Sequence, residues 1–150
     1  MESTGILSVY LLAAALGWLS SQVIKYLVQA TKARSWRNIS LFYKSGNMPS
    51  VHTATVSALA TSIGLWDGVN SALFVVSLVL GTIVAYDAMQ VRRSVGEQGR
   101  ALAKLIESKS KSAKLPYYSS GHRPIEVLVG AILGIASGAV VVIYVTYFSL

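Results

Sequence analysis

The sequence has no cysteine, only three prolines and only six acidic residues among its 150 positions. Without cysteine, disulfides, thiol catalysis and thiolate metal sites are excluded. Charged residues make up 13% of the chain against 53% hydrophobic residues, and the mean hydropathy of +0.56 is not that of a soluble domain. The composition therefore predicts a membrane protein, with residues 1–150 forming a single membrane domain.

Four long segments carry almost no charge. They are Ser3–Ile24, Ser45–Trp66, Gly68–Tyr86 and Val127–Leu150. Each is near the ~20 residues that a helix needs to cross a ~30 Å hydrocarbon core. We therefore predict an all-α integral membrane bundle of four transmembrane helices. The predicted spans cover about residues 5–28, 48–66, 68–91 and 124–148.

Basic residues are missing from one side of this predicted bundle. Apart from Lys25, every lysine and arginine falls in the loop between spans one and two or in the loop between spans three and four. The opposite side has Glu2 and Asp67 and no base. The positive-inside rule then predicts that both loops are cytoplasmic and that both termini lie outside. The expected partners of these bases are anionic membrane lipids and not nucleic acid.

The loop between spans three and four predicts a further helix. From Glu97 to Glu107, Leu102 and Leu105 fall on one side of a helix and Lys104 on the other. This amphipathic pattern predicts a short cytoplasmic helix that lies on the membrane surface.

Span two opens with SGNMPSVHTA, residues 45–54. Asn47 is suited to cap this helix and Pro49 to its first turn, which would place the following residues at the positive end of the helix dipole. Ser50 and His52 would then lie among free backbone N–H groups, as in an anion site. The same pattern also occurs where a proline and its neighbours only mark the start of a helix. Spacing alone does not decide between an anion site and such a helix start.

Charged residues also lie at the ends of spans one and three. Lys25 is followed seven residues later by Lys32, two helical turns along the same face, although the plainer interpretation of Lys25 is a lysine snorkelling to the interface. An unpaired acid such as Asp87 is costly at the end of a hydrophobic span. Because Arg92 and Arg93 are five and six residues away, off the spacing that aligns side chains on one α-helix, we predict an ion pair between helices.

The last span opens with GHRPIEVLVGAILGIASG, residues 121–138. Counting in fours from His122 gives Glu126 and then Gly130, Gly134 and Gly138, which form one nearly straight stripe on an α-helix. The imidazole of His122 and the carboxylate of Glu126 lie at the N-terminal end of this stripe. The three glycines form a flat face, called here the glycine face, that another helix can approach closely, and they suggest a homo-oligomer contact.

Histidines, arginines, lysines and a carboxylate thus gather at one end of the predicted bundle, a combination that suits phosphate chemistry. Here the sequence resembles the divergent branch of the type-2 phosphatidic acid phosphatases, relatives of the vanadium haloperoxidases. The resemblance covers essentially the whole chain. It rests on SGNMPSVHTA at 45–54, YDAMQVRRSVGEQG at 86–99 and GHRPIEVLVGAILG at 121–134.

The resemblance implies roles for particular residues. His122 and Glu126 match the family's His-x-x-x-acid pair, as nucleophile and orienting carboxylate, and His52 matches the general acid. Phosphate is expected to bind without a metal, through Lys25, Lys32, Ser50, Arg92 and Arg93, with Asp87 and Asn47 in support. The sequence departs from the superfamily pattern with Val51 for Gly, Glu126 for Asp, and Pro116 where an arginine is expected.

Two classes of function fit these residues. The first is a lipid phosphatase that hydrolyses a phosphomonoester, such as phosphatidylglycerophosphate or phosphatidic acid, through a phosphohistidine, with polyprenyl (pyro)phosphate as an alternative substrate. The second is a non-catalytic membrane protein of the same fold that binds anionic head groups or a partner. In either case the site is expected to face the cytoplasm at head-group depth. Aromatic residues could seat the lipid there, namely Trp36, Tyr43, Tyr117 and Tyr118.

Overall fold

The structure is a computed structural model that describes residues 3–34, 48–109, 115, 118 and 120–148, with side chains described from Val9 onward. The regular elements in these ranges are all helical, which confirms the predicted all-α fold. The α-helices are α1 (Ser3–Ala33), α2 (Val51–Trp66), α3 (Ala72–Tyr86), α4 (Arg92–Lys109) and α5 (Pro124–Phe148). A π-helical turn, Asp87–Val91, joins α3 to α4.

Three helical segments are long and apolar enough to cross a membrane, namely Val9–Ala33, Ala72–Lys109 and Pro124–Phe148. The predicted second span is the shorter helix α2, whose 16 residues extend about 24 Å at 1.5 Å per residue. Pro49 was predicted in the first turn of this helix, but it precedes the helix, because Ser50 is the N-cap residue and has an extended backbone.

The predicted third span and the predicted amphipathic helix belong to one helical segment. It runs through the π-turn without a break and is 38 residues long. Its glycines allow close contacts and do not interrupt it, since a Cβ at Gly99 would lie 2.5 Å from the Cβ of Tyr118. Residues 97–107 are thus helical, as predicted, but the helix begins earlier, at Arg92, as a continuation of α3. Its position on the membrane surface stays a prediction.

The glycine face of α5 packs against the backbone of α2. A Cβ at Gly130 would lie 2.5 Å from the carbonyl oxygen of Ser50, and a Cβ at Gly134 would collide with the carbonyl oxygen of Ala54. Gly138 approaches Ala58 in the same way. Within this chain α2 covers the glycine face. The homo-oligomer contact suggested for this face stays a prediction, and it would require α2 to move away from α5.

Helices α1 and α5 run antiparallel. Val9 and Ala13 of α1 pack with Val141 and Val142 of α5 in a buried apolar cluster. Farther along, the hydroxyls of Ser20 and Ser137 lie 3.2 Å apart. The later residues of α1 therefore approach the start of α5, where the candidate site lies.

Candidate functional site

The starts of α2 and α5 are joined by a backbone hydrogen bond. The N–H of Ser50 donates to the carbonyl oxygen of Glu126 at 3.0 Å, in a contact that the absence of a side chain at Gly130 permits. The buried Ser50 hydroxyl lies 2.9 Å from the hydroxyl of Thr53. Asn47, the predicted cap, lies outside the described residues. The first amides of α2 lack intrahelical acceptors, as at any helix start, and are free to bind an anion.

His122, two residues before α5, and Glu126, in the first turn of α5, form a close pair. The Nδ1 atom of His122 lies 2.9 Å from Oε2 of Glu126, and the two side chains are only 11% and 16% exposed. The backbone N–H of Arg123 donates to the same oxygen at 3.2 Å. When Nδ1–H donates to the carboxylate, the lone pair of a neutral imidazole is on Nε2, which is the form that can attack a phosphorus atom.

The segment before α5 is fixed on the π-turn. The N–H of His122 donates to the carbonyl oxygen of Ala88 at 3.0 Å. Gly121 has a φ of +66°, and a Cβ there would lie 2.5 Å from the backbone nitrogen of Arg93. This conformation and this close approach both favour glycine. The second and third sequence motifs thus meet in space.

The π-turn also pairs Asp87 with Arg92, because Nε of Arg92 donates to Oδ2 of Asp87. The predicted interhelical pair is therefore wrong, since both residues lie on one helical segment. The spacing argument assumed α-helical geometry, whereas a π-turn, with its i to i+5 hydrogen bonds, brings residues five apart into register. Within the described ranges, no group of three or more His, Asp and Glu residues is placed to hold a metal ion.

The two neighbouring arginines point to different partners. Arg93 donates from Nε to Oε1 of Glu97 at 3.2 Å, and both side chains are more than half exposed. The charge of Arg92 instead acts on the imidazole of His52. Arg92 is therefore the arginine that interacts with His52.

Lys25 reaches the same place from α1. Its side chain is only 8% exposed, and its charge acts on Glu126 and on His52. Burial beside a carboxylate argues against the interpretation of Lys25 as a snorkelling lysine. Lys32, two turns further on, is exposed near the end of the helix, and is the more peripheral of the two.

His52 completes the group of charges from its position in the first turn of α2. Its side chain is exposed and interacts electrostatically with His122, Lys25 and Arg92. The residues predicted from three separate motifs thus come together at one end of the bundle. The motif at 45–54 contributes His52, the motif at 86–99 contributes Arg92, and the motif at 121–134 contributes His122 with Glu126. Lys25 joins them from α1.

Two glutamines of α1 were not predicted from the sequence as candidate site residues. Gln22 and Gln29 lie three residues before and four residues after Lys25, so the three share a helical face. Gln29 is only 4% exposed. The polar spacing at 22, 25, 29 and 32 was the signal that could have identified them.

An apolar groove of about 440 Å³ begins beside the site and runs between α2, α3 and α5. Met89 and Pro124 line the end nearest His122, while Gly81 and Ser77 line its far end on α3. From Met89 to Ser77 the helix rises about 18 Å. The groove therefore reaches residues that are close in sequence to His52 and His122, and it is long enough for a hydrocarbon chain.

Comparisons with known proteins identify the family of this chain. A curated relative from Bacillus subtilis (strain 168), described as the uncharacterized membrane protein YuiD, is 36% identical over 143 residues, with 83% of this chain and 88% of the relative covered. No solved structure matches the chain. The model of the family described as "Divergent PAP2 family" matches residues 7–137, a range that includes every part of the site just described. The chain is a membrane protein that belongs to the divergent PAP2 family.

Proposed function

We propose that the protein is a lipid phosphatase that hydrolyses a phosphomonoester at the membrane surface through a phosphohistidine on His122. The observation that carries the proposal is the 2.9 Å pair of His122 and Glu126, which lies within electrostatic reach of Lys25 and His52. An oriented nucleophile, a second imidazole and buried positive charge are the groups that phosphoryl transfer needs.

In the first step, Nε2 of His122 attacks the phosphorus atom and the bond from phosphorus to the lipid oxygen breaks. His52, in its protonated form, gives its proton to the leaving alkoxide, so that the lipid departs as an alcohol. In the second step, water attacks the phosphorus, gives a proton to His52, and breaks the bond to Nε2. Inorganic phosphate leaves, and both imidazoles return to their starting protonation states.

Three features stabilise the negative charge that the phosphoryl group carries. Lys25 supplies a cation that is held in place by burial. Arg92 supplies a second cation, oriented by Asp87, and takes the place of the arginine that the sequence lacks at Pro116. The open amides at the start of α2 supply hydrogen-bond donors and the positive end of a helix dipole.

The apolar groove favours a lipid over a soluble phosphate ester. Its lining exposes little polar surface, and its near end lies at Pro124, two residues from His122. A hydrocarbon chain in the groove would hold the phosphate at the histidines and would keep its tail among the helices. Volumes of about 300–1,000 Å³ are typical of sites that bind small molecules.

The proposed topology has four membrane helices, with α2 as a short span and the basic end of the bundle in the cytoplasm. The basic residues of α4 and the neighbouring loops attract anionic lipid by about 1 kcal/mol per nearby cation. Substrates made on that side, such as phosphatidylglycerophosphate or phosphatidic acid, are therefore favoured over a carrier pyrophosphate recycled outside. A polyprenyl phosphate is the alternative substrate.

A non-catalytic role is the second candidate. The buried side chain of Val51 occupies the position of the superfamily's glycine, directly at the anion-binding helix start. A protein that has lost turnover but kept the anion site would bind lipid head groups without releasing phosphate. Phosphate release from lipid phosphates by the purified protein decides between the two.

Arg92→Gln is expected to lower kcat/KM for a lipid phosphate by about 10²-fold, because it removes one charge that stabilises the transferred phosphoryl group. Arg93→Gln is the matched control, since Arg93 pairs with Glu97 on the exposed side, and it should change kcat/KM by less than about threefold. Equal effects of the two substitutions would contradict the assignment of Arg92.

The topology is tested with single cysteines in this cysteine-free chain. Ser94 and Ser120 are exposed at the basic end, and Asn70 is exposed in the turn between α2 and α3. We expect an impermeant thiol reagent to label Asn70→Cys in intact cells, and to label Ser94→Cys and Ser120→Cys only after permeabilisation. Labelling at positions 94 and 120 without permeabilisation would place the site outside.

A further inference from the structure

The buried amide of Gln29 has hydrogen-bonding groups that nothing in the described structure satisfies. Its Nε2 and Oε1 atoms are both inaccessible and have no hydrogen-bond partner among the described residues. The Oε1 atom of Gln22 is in the same situation. Buried polar side-chain atoms normally have a partner, so unpaired ones on the same face as Lys25 require an explanation.

The position of Gln29 along α1 places it at the level of the phosphate site. The hydroxyls of Ser20 and Ser137 mark one level of the antiparallel helices α1 and α5. From that level, Gln29 lies about 13 Å towards the basic end along α1, and Glu126 lies about 16 Å in the same direction along α5. Gln29 is therefore nearly level with Glu126, whereas Gln22 lies deeper in the bundle.

The unpaired atoms define the chemistry of the missing partner. The dianion of a phosphomonoester can accept from Nε2 of Gln29, but it has no proton to donate to an Oε1 atom. Both glutamines present an unpaired Oε1, so the partner must carry a donor. A hydroxyl both donates and accepts, and it can therefore satisfy both ends of one amide.

We propose that Gln29 binds a free hydroxyl group on the alcohol part of the substrate, next to the phosphate. This inference rests on the proposed function, and it narrows the substrate to phosphomonoesters whose neighbouring carbon carries a hydroxyl. The glycerol phosphate end of phosphatidylglycerophosphate has this group. Phosphatidic acid, whose neighbouring oxygen is acylated, and polyprenyl phosphate lack it.

The test compares two lipids that differ by one oxygen. They are 1-acylglycerol 3-phosphate and the same lipid with hydrogen in place of its free hydroxyl. We expect the wild-type protein to favour the hydroxylated lipid by about tenfold in kcat/KM, and Gln29→Met to reduce this ratio to about one. Gln98→Met, at an exposed glutamine of α4, is the control that should keep the wild-type ratio. A ratio of one in the wild type, or an unchanged ratio in Gln29→Met, would overturn the proposal.

Binding of soluble head-group analogues separates this proposal from the proposed catalysis. Glycerol 3-phosphate should raise the melting temperature of the wild-type protein more than propyl phosphate does, and Gln29→Met should abolish that difference. This result would support the hydroxyl site even if neither lipid were hydrolysed. Without ligand, Gln29→Met should melt at the same or a higher temperature, because it removes an unpaired buried amide. A lower melting temperature would show that the amide has a partner within the protein, and would contradict the proposal.

Discussion

Replacing His122 with alanine is expected to lower the turnover of a lipid phosphate by about 10⁴-fold or more, because it removes the proposed nucleophile. Binding of substrate should change little, since Lys25, Ser50 and the start of α2 remain. The measurement is phosphate release under saturating lipid in mixed micelles, with a binding assay for the same lipid alongside.

Glu126→Gln provides the graded control for this prediction. The amide keeps nearly the shape of the carboxylate but loses the charge that orients His122 and stabilises its cationic form. We expect kcat to fall by about 10²-fold with KM nearly unchanged. Wild-type turnover in His122→Ala would contradict the assignment of the nucleophile, and wild-type turnover in Glu126→Gln would contradict the role of the carboxylate.

Gly134→Leu is expected to destabilise the protein by about 3 kcal/mol, because any Cβ at this position meets the backbone of α2. The obstacle is the carbonyl oxygen of Ala54, with the Cβ of Ser57 behind it at 2.7 Å. Neither atom is the end of a flexible side chain, so relief requires the two helices to separate. The measurement is thermal unfolding of the purified variant in detergent.

Ala136→Leu is the matched control on the same helix. Ala136 is exposed on the outer surface of α5, where a larger apolar side chain adds no contact with another helix. We expect its melting temperature to stay close to that of the wild type. If Gly134→Leu were as stable as Ala136→Leu, the close packing of α5 on α2 would be wrong.

Much of the site could be predicted because helical spacing acts over short distances. The match of His122 and Glu126 to the family's His-x-x-x-acid pattern implied their pairing, and the repeat of glycines was enough to predict a close helix contact. Which helix covers the glycine face could not be predicted, because the spacing says nothing about the partner. In the structure α2, which runs parallel to α5 and antiparallel to α1, covers this face.

The π-turn at Asp87–Val91 was beyond prediction, because no residue type requires one extra residue in a helical turn. Its consequence was nevertheless large. In an α-helix, residues five apart do not face each other, whereas in the π-turn Arg92 and Asp87 do and form a pair. The shortness of α2 was missed for a related reason. Apolar residues continue through the predicted span, whereas its start is determined by the extended backbone of Ser50.

The covalent intermediate on His122 is the most direct test of the proposed function. Purified protein is mixed with a lipid phosphate whose phosphorus is labelled, quenched within milliseconds in alkali, which preserves phosphohistidine, and digested for mass spectrometry. We expect labelled phosphate on the peptide that contains His122 in the wild type, and no label in His122→Ala. Release of phosphate with no label on His122 at any time would contradict the account, as would label on His52 instead.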